Sequence, residues 1–183
     1  MTNKRALLCL FLILTMAVQA RATVLVPADL GELSRDALAI ARGRVTALDA
    51  QWTEDHGTIE TIVTLEVESY LKGALGATLR FRVPGGELGR FRSVVIGAPS
   101  FAVDQRVVVF LGAHGPSVPH LLGMSQGVFR VARAADNSGW LVTSPALLPG
   151  AVTARLVRGD PSRRTLALAD FEQTVRVLAG AAK

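Results

Sequence analysis

The sequence predicts a mainly β fold: a small antiparallel, OB-like barrel of five to seven strands, with a short N-terminal helix and a C-terminal packing helix. A β-sandwich is the alternative. Three observations carry this reading. Apolar and polar residues alternate in successive runs, as in Thr78 to Val83 (TLRFRV). Short turns rich in Gly, Pro, Asn and Asp join these runs, which makes neighbours in sequence neighbours in the sheet. Helical spacing appears only near the two ends of the folded region.

Residues 1–22 are expected to be a cleaved export signal. Lys4 and Arg5 precede the apolar stretch Ala6 to Ala20, and Ala20-Arg21-Ala22 gives a small-x-small cleavage pattern. Cleavage is placed after Ala22, with Ala20 as the alternative. The stretch is shorter than the roughly 20 apolar residues that span a bilayer. Cys9 lies in mid-stretch behind Leu8, which is not the setting of a lipid-modified cysteine. Loss of Lys4, Arg5 and Arg21 leaves 17 Lys and Arg against 15 Asp and Glu, so net charge falls from +5 to +2. A charge that small implies no polyanion surface. The single cysteine leaves with the signal, which excludes disulfides and thiol nucleophiles. Residues 23–183 are then expected to form one domain without a membrane span, periplasmic or secreted.

Thr23 to Pro27 (TVLVP) reads as an extended arm. Asp29 is placed to cap a short helix, with Glu32 completing a capping-box-like pair and Leu30, Leu33 and Ala37 forming the apolar face. Ala39 to Leu48 is the first strand, QWTEDHGT a polar turn, and Ile59 to Leu71 the second strand, with Val63, Leu65 and Val67 on one face. Thr78 to Val83 is the third, stopped by Pro84-Gly85-Gly86, and Ser93 to Ile96 is a short fourth. Ala102 to Gln105 is a turn. Arg106 to Leu111 is apolar on both faces, which suits a strand buried between layers or inside a closing barrel. Leu121 to Ala134 and Gly139 to Thr143 flank a hairpin turn at Asp136-Asn137-Ser138-Gly139. Residues 144–164 read as irregular. Leu168, Phe171, Val175 and Leu178 mark a terminal helix over about 166–182, with Asp170 and Glu172 early and Arg176 and Lys183 late, matching the helix dipole.

The outward charges form a pattern of their own. Arg42 and Arg44 lie on the first strand, Glu66 and Glu68 on the second, Arg80 and Arg82 on the third. In a meander the acids sit between two rows of bases, each pair contributing about 0.2–1 kcal/mol. That accounts for both signs, where an anion site accounts only for the arginines.

Gly123-Met124-Ser125-Gln126-Gly127 fits the G-x-S-x-G pattern of a hydrolase nucleophile elbow. An elbow needs a helix behind the serine, and acid and histidine partners after it. Here Val128-Phe129-Arg130-Val131 is strand-like and no histidine follows Ser125. A triad in another order would draw on His56, His114 or His120. The segment reads as a turn, and no catalytic residue is assigned. His114 and His120 lie in a Gly/Pro loop without cysteine or clustered carboxylates, and His56 beside Glu54 and Asp55 is a weak ion site, so neither a metal nor a cofactor is expected. Gly89-Arg90-Phe91-Arg92 sets an aromatic between two bases, a pattern that stacks on nucleic acid. Aromatics are scarce and export removes such partners, so nucleic acid is not expected. The segment is the best exposed patch for a partner.

The pieces Ala41-Arg42-Gly43-Arg44-Val45, Val67 to Gly73 (VESYLKG), Val83-Pro84-Gly85-Gly86, Gly97 to Phe101 (GAPSF), Arg106 to Leu111 (RVVVFL) and Ser125 to Val131 (SQGVFRV) span about residues 35–132. In that order they resemble an uncharacterised family of exported bacterial proteins, which implies no activity. The RGRV and VESYLKG pieces are similar, more distantly, to netrin-like OB-fold modules, including tissue inhibitors of metalloproteinases. The resemblance implies a barrel and, as a partner, a secreted matrixin-like protease. It does not carry over the inhibitory mechanism, which chelates zinc through an N-terminal cysteine, whereas this chain is expected to begin at Thr23. The expected function is a non-enzymatic exported module that binds a protein or cell-envelope partner. An accessory factor or inhibitor of a secreted protease, and then a serine hydrolase using Ser125, are the alternatives.

Overall fold

A computed structural model of the chain describes residues 28–113, 118–143 and 165–180. The expected export signal, the 23–27 arm, His114, the 144–164 stretch and Lys183 lie outside the described residues. Helix α1 (Leu30–Asp36) opens where expected: the Asp29 carboxylate accepts from the Gly31 amide at 3.1 Å and satisfies one of the free first-turn N–H groups. The capping box is not made as expected, since Asp29 reaches Gly31 rather than Glu32, which stays exposed. Leu33 and Ala37 are buried, and Leu30 packs beside them.

Strands β1 (Ala39–Trp52) and β2 (Ile59–Lys72) pair antiparallel over their whole length, and β3 (Thr78–Pro84) pairs with β2. β1 runs four residues past Leu48, because Asp49-Ala50-Gln51-Trp52 continues the polar/apolar alternation. β4 (Gly86–Leu88) and β5 (Phe91–Ser93) form a separate two-stranded hairpin. The fourth strand expected at Ser93 to Ile96 is therefore displaced: Val94 and Ile96 leave the pairing and stand 73% and 72% exposed.

The remaining elements are β6 (Arg106–Gly112), β7 (His120–Leu121), a 3-10 turn (Met124–Gly127), β8 (Val128–Arg133), β9 (Trp140–Thr143), β10 (Leu166–Ala167) and helix α2 (Leu168–Gly180). Within the run from Leu121 to Ala134, the turn expected at the G-x-S-x-G segment separates β7 from β8. The terminal helix begins at Leu168, because Leu166 and Ala167 pair with β9. The first half of β1 bonds β6 on its other edge, so the order β1-β2-β3-β7-β6 returns to β1 as a partly closed ring. β8, β9 and β10 extend the same sheet outward from β6. One continuous sheet replaces the sandwich alternative. It is mixed rather than wholly antiparallel, since β7 runs parallel to β3 with Arg82 opposite His120. The reason is parity: a ring of five strands cannot alternate direction at every junction.

Two hydrophobic clusters share β6. Val107, Val109 and Leu111 face the ring interior with Val45, Leu65 and Phe81, while Val108 and Phe110 face outward under the helices with Phe129, Phe171 and Val175. That is why β6 reads as apolar on both faces. The rings of Phe129 and Phe171 lie 4.8 Å apart and fasten α2 to the sheet. No helix among the described residues is long and apolar enough to cross a membrane.

The charge pattern is half as expected. Arg44 binds Glu66 at 2.7 Å across the β1–β2 pair and Asp104 at 2.9 Å. The hydrogen bond that Arg44 donates to Glu66, then the one to Asp104, raises its pKa above the ordinary arginine value. Glu68, however, lies between Arg42 at 3.2 Å and Arg106 on β6 at 2.8 Å, not beside β3. Register decides this: Arg80 stands opposite Thr64, two pairs from Glu66, and Arg82 has Glu60 at 3.9 Å. Arg42 also reaches Glu172 of α2 at 2.6 Å, and Glu172 meets Arg176 at 3.3 Å. The outward charges of β1, β2 and β6 therefore tie the ring to the terminal helix.

Candidate functional site

The G-x-S-x-G segment folds as a turn between two strands. Gly123 and Met124 adopt left-handed backbone (φ 61 and 56), and Val128 enters β8 directly behind Gly127, where an elbow would launch a helix. The turn serves its surroundings through its backbone and Gln126: the Ser125 amide donates to the Gly97 carbonyl at 3.0 Å, and the Gln126 carboxamide oxygen accepts from the Ala28 amide at 2.7 Å. Gly127 is required by space, because a Cβ there would run into the Leu122 carbonyl oxygen. Gly127→Ala is accordingly expected to cost about 1–3 kcal/mol. Ser125→Ala keeps the amide and is expected to change stability by less than about 0.5 kcal/mol. Urea unfolding of the two variants checks both values.

The two described histidines do not gather. His56 sits at the tip of the β1–β2 hairpin with φ 53, and His120 lies on β7 beside Gly112 and Arg82. Asp55, the carboxylate next to His56, is taken up by the turn itself, accepting from the Thr53 hydroxyl and the Gly57 amide, and those bonds hold it below the usual carboxylate range. Among the described residues no three His, Asp or Glu side chains converge on one point.

The feature with the character of a site is the mouth of the ring, where β1, β2 and β3 end. Pro84-Gly85-Gly86 turns the chain off β3, with Gly85 at φ 92, which suits glycine. The Gly85 amide donates to the Ile59 carbonyl at 2.9 Å, and the Thr61 hydroxyl donates to the Gly85 carbonyl at 2.8 Å. The β4–β5 hairpin is thereby folded back over the ends of β1 and β2, and Phe91 meets the Trp52 ring edge-on at 5.4 Å. Between this hairpin, the inward side chains Leu48, Ala50 and Thr61, and the 94–101 loop lies a groove of about 550 Å³.

The rim of that groove is apolar and basic. Phe91, Val94 and Ile96 are 47%, 73% and 72% exposed, within six residues of one another. Arg90 lies over the Phe91 ring, 5.0 Å from its centre, and Arg92 pairs with the exposed Glu87 at 3.1 Å. The Ser125–Gly97 hydrogen bond holds the middle of the 94–101 loop. The GRFR patch is thus where the sequence put it, but Trp52, Val94 and Ile96 were missed. Trp52 reads as part of a polar turn, and Val94-Val95-Ile96 has the β-branched composition of a strand although it forms none. Comparison of the chain with protein-family models, curated proteins and solved structures gives no match.

Proposed function

We propose that the chain is an exported binding module, an OB-type barrel released from its leader at Ala22, that takes a protein partner of the cell envelope at the rim of the ring. The observation that carries this is the exposed trio Phe91, Val94 and Ile96 beside the groove, whereas the other exposed large apolar side chains among the described residues, Leu38, Leu75, Val103 and Val177, are scattered along the sequence. Exposed apolar side chains edged by arginines have the composition of a protein-binding patch. The partly closed five-strand ring supports the barrel type.

Site-specific crosslinking tests the reading. A photoreactive residue at position 94 is expected to give one discrete adduct in a cell-envelope extract, lost when Ile96→Asp is introduced. The same residue at position 177 on α2, where Val177 is 59% exposed but lies outside the trio, is expected to give none. Equal adducts from both positions, or none from position 94, would defeat the proposal.

A further inference from the structure

We propose that the partner enters this rim as an added β-strand: an extended, acidic segment that hydrogen-bonds along the free edge of β1 from Leu48 to Trp52. The inference rests on the rim reading above and names the chemistry of its partner. Backbone direction carries it. β6 covers the outer edge of β1 only as far as Arg44, and Val45 is then satisfied by Gln105 and Asp104. Farther along, β1 has β2 on one side and, among the described residues, no hydrogen-bonded strand on the other.

Which backbone groups point outward follows from the neighbouring bonds. The Ile59 carbonyl accepts from Gly85, so Ile59 faces β3 and Glu60 faces β1; the Thr53 amide bonds the Thr58 carbonyl in the same phase. Alternation along an antiparallel pair then turns Gln51, Asp49 and Ala47 toward β2. The N–H and C=O groups of Leu48, Ala50 and Trp52 face the open edge, and among the described residues none is bonded to them. These three residues span about 14 Å of strand, room for a segment of roughly five residues. Exposed edges are usually blunted by charge, proline or a covering segment. Here the side chains of the same residues, Leu48 and Ala50, line the groove instead.

The arrangement suits strand addition, in which main-chain bonds supply affinity and pockets for alternate side chains supply selectivity. Alternate residues of the added strand would point into the groove and therefore be apolar. The others would lie by the rim, where Arg90 has a ring and no carboxylate among the described residues as its partner, and Arg92 has only a solvent-exposed acid. Charge complementarity therefore selects an acidic segment. A second copy of this chain would bring the same arginines to the rim and is disfavoured.

The probe is a blocked octapeptide of alternating valine and glutamate, compared with one N-methylated on its valines and another N-methylated on its glutamates. In an added strand only one set of amides faces β1. One methylated peptide is therefore expected to bind about tenfold more weakly than the parent, and the other like the parent. Amide exchange at Leu48, Ala50 and Trp52 is expected to slow on binding, and Ala50→Pro, which removes an outward N–H not used by the fold, to weaken the parent peptide about tenfold. Equal binding of both methylated peptides, no binding of the parent at millimolar concentration, or dimerisation of the free protein abolished by Ala50→Pro would overturn the proposal. Persistence of the position-94 adduct in any of these cases leaves the rim standing and removes only strand addition; its absence removes both.

Discussion

Gly43→Ala is expected to lower stability by about 3 kcal/mol, which for a domain of this size moves the melting temperature by roughly 6–12 °C. A Cβ at position 43 would strike the Glu66 carbonyl oxygen, with Leu65 Cγ at 2.8 Å. The obstacle is the backbone of the adjoining strand, which a rotamer change cannot move. Gly43 sits at a register shift in β1, between Arg42 and Gly43, on the half of the strand that both β2 and β6 use. Separating β1 from β2 there opens the ring itself. Gly139→Ala is the control: nothing lies within 4 Å of a Cβ at that position. It is expected to leave stability unchanged or raise it by up to about 1 kcal/mol, through the unfolded chain. Thermal unfolding of the two variants side by side measures the contrast.

Arg42→Ala is expected to cost about 2–3 kcal/mol and to loosen α2 before the ring. Glu172 is 11% exposed in its side chain and receives Arg42 at 2.6 Å; Arg176, at 3.3 Å and 43% exposed, is the weaker neighbour. Removing the guanidinium strands a nearly buried carboxylate, and the penalty for that is larger than the net worth of the pair. The value is set below the range for fully buried pairs because Arg42 keeps 22% of its surface. Replacing both partners, Arg42→Met with Glu172→Leu, is expected to recover most of the loss. A double-mutant cycle by urea unfolding, with amide exchange on Phe171 and Val175, reports both the coupling and where the opening begins.

Much of the fold is legible in the sequence because the ring has an inside and an outside. Residues 78–83 alternate cleanly since Leu79, Phe81 and Val83 face the interior and Arg80 is exposed. β6 departs from alternation for an equally physical reason: one face fills the ring and the other meets the helix layer. Register is what the sequence leaves out. Nothing in the strings containing Glu66 and Glu68 shows that a shift in β1 would set Glu68 between Arg42 and Arg106, or that Arg80 would fall opposite Thr64. The rim is hidden for a related reason. Val94-Val95-Ile96 has strand composition, yet it follows β5 without pairing, so Val94 and Ile96 stand exposed while Val95 is half-buried beside the groove. Trp52 reads as part of a turn because polar residues surround it, yet it is the last residue of β1 and the seat of Phe91.

Ser125 illustrates the opposite case, a motif visible in sequence whose geometry serves another end. Its amide holds Gly97 and so steadies the loop that carries Val94 and Ile96. The two sites are therefore neighbours with different expected roles, one a turn and one a contact surface.

The most direct test of the account follows the position-94 crosslink in three backgrounds: the unmodified chain, Ser125→Ala and Ile96→Asp. The account predicts the same adduct at the same yield with Ser125→Ala and its loss with Ile96→Asp. An adduct that survives Ile96→Asp but disappears with Ser125→Ala would contradict it.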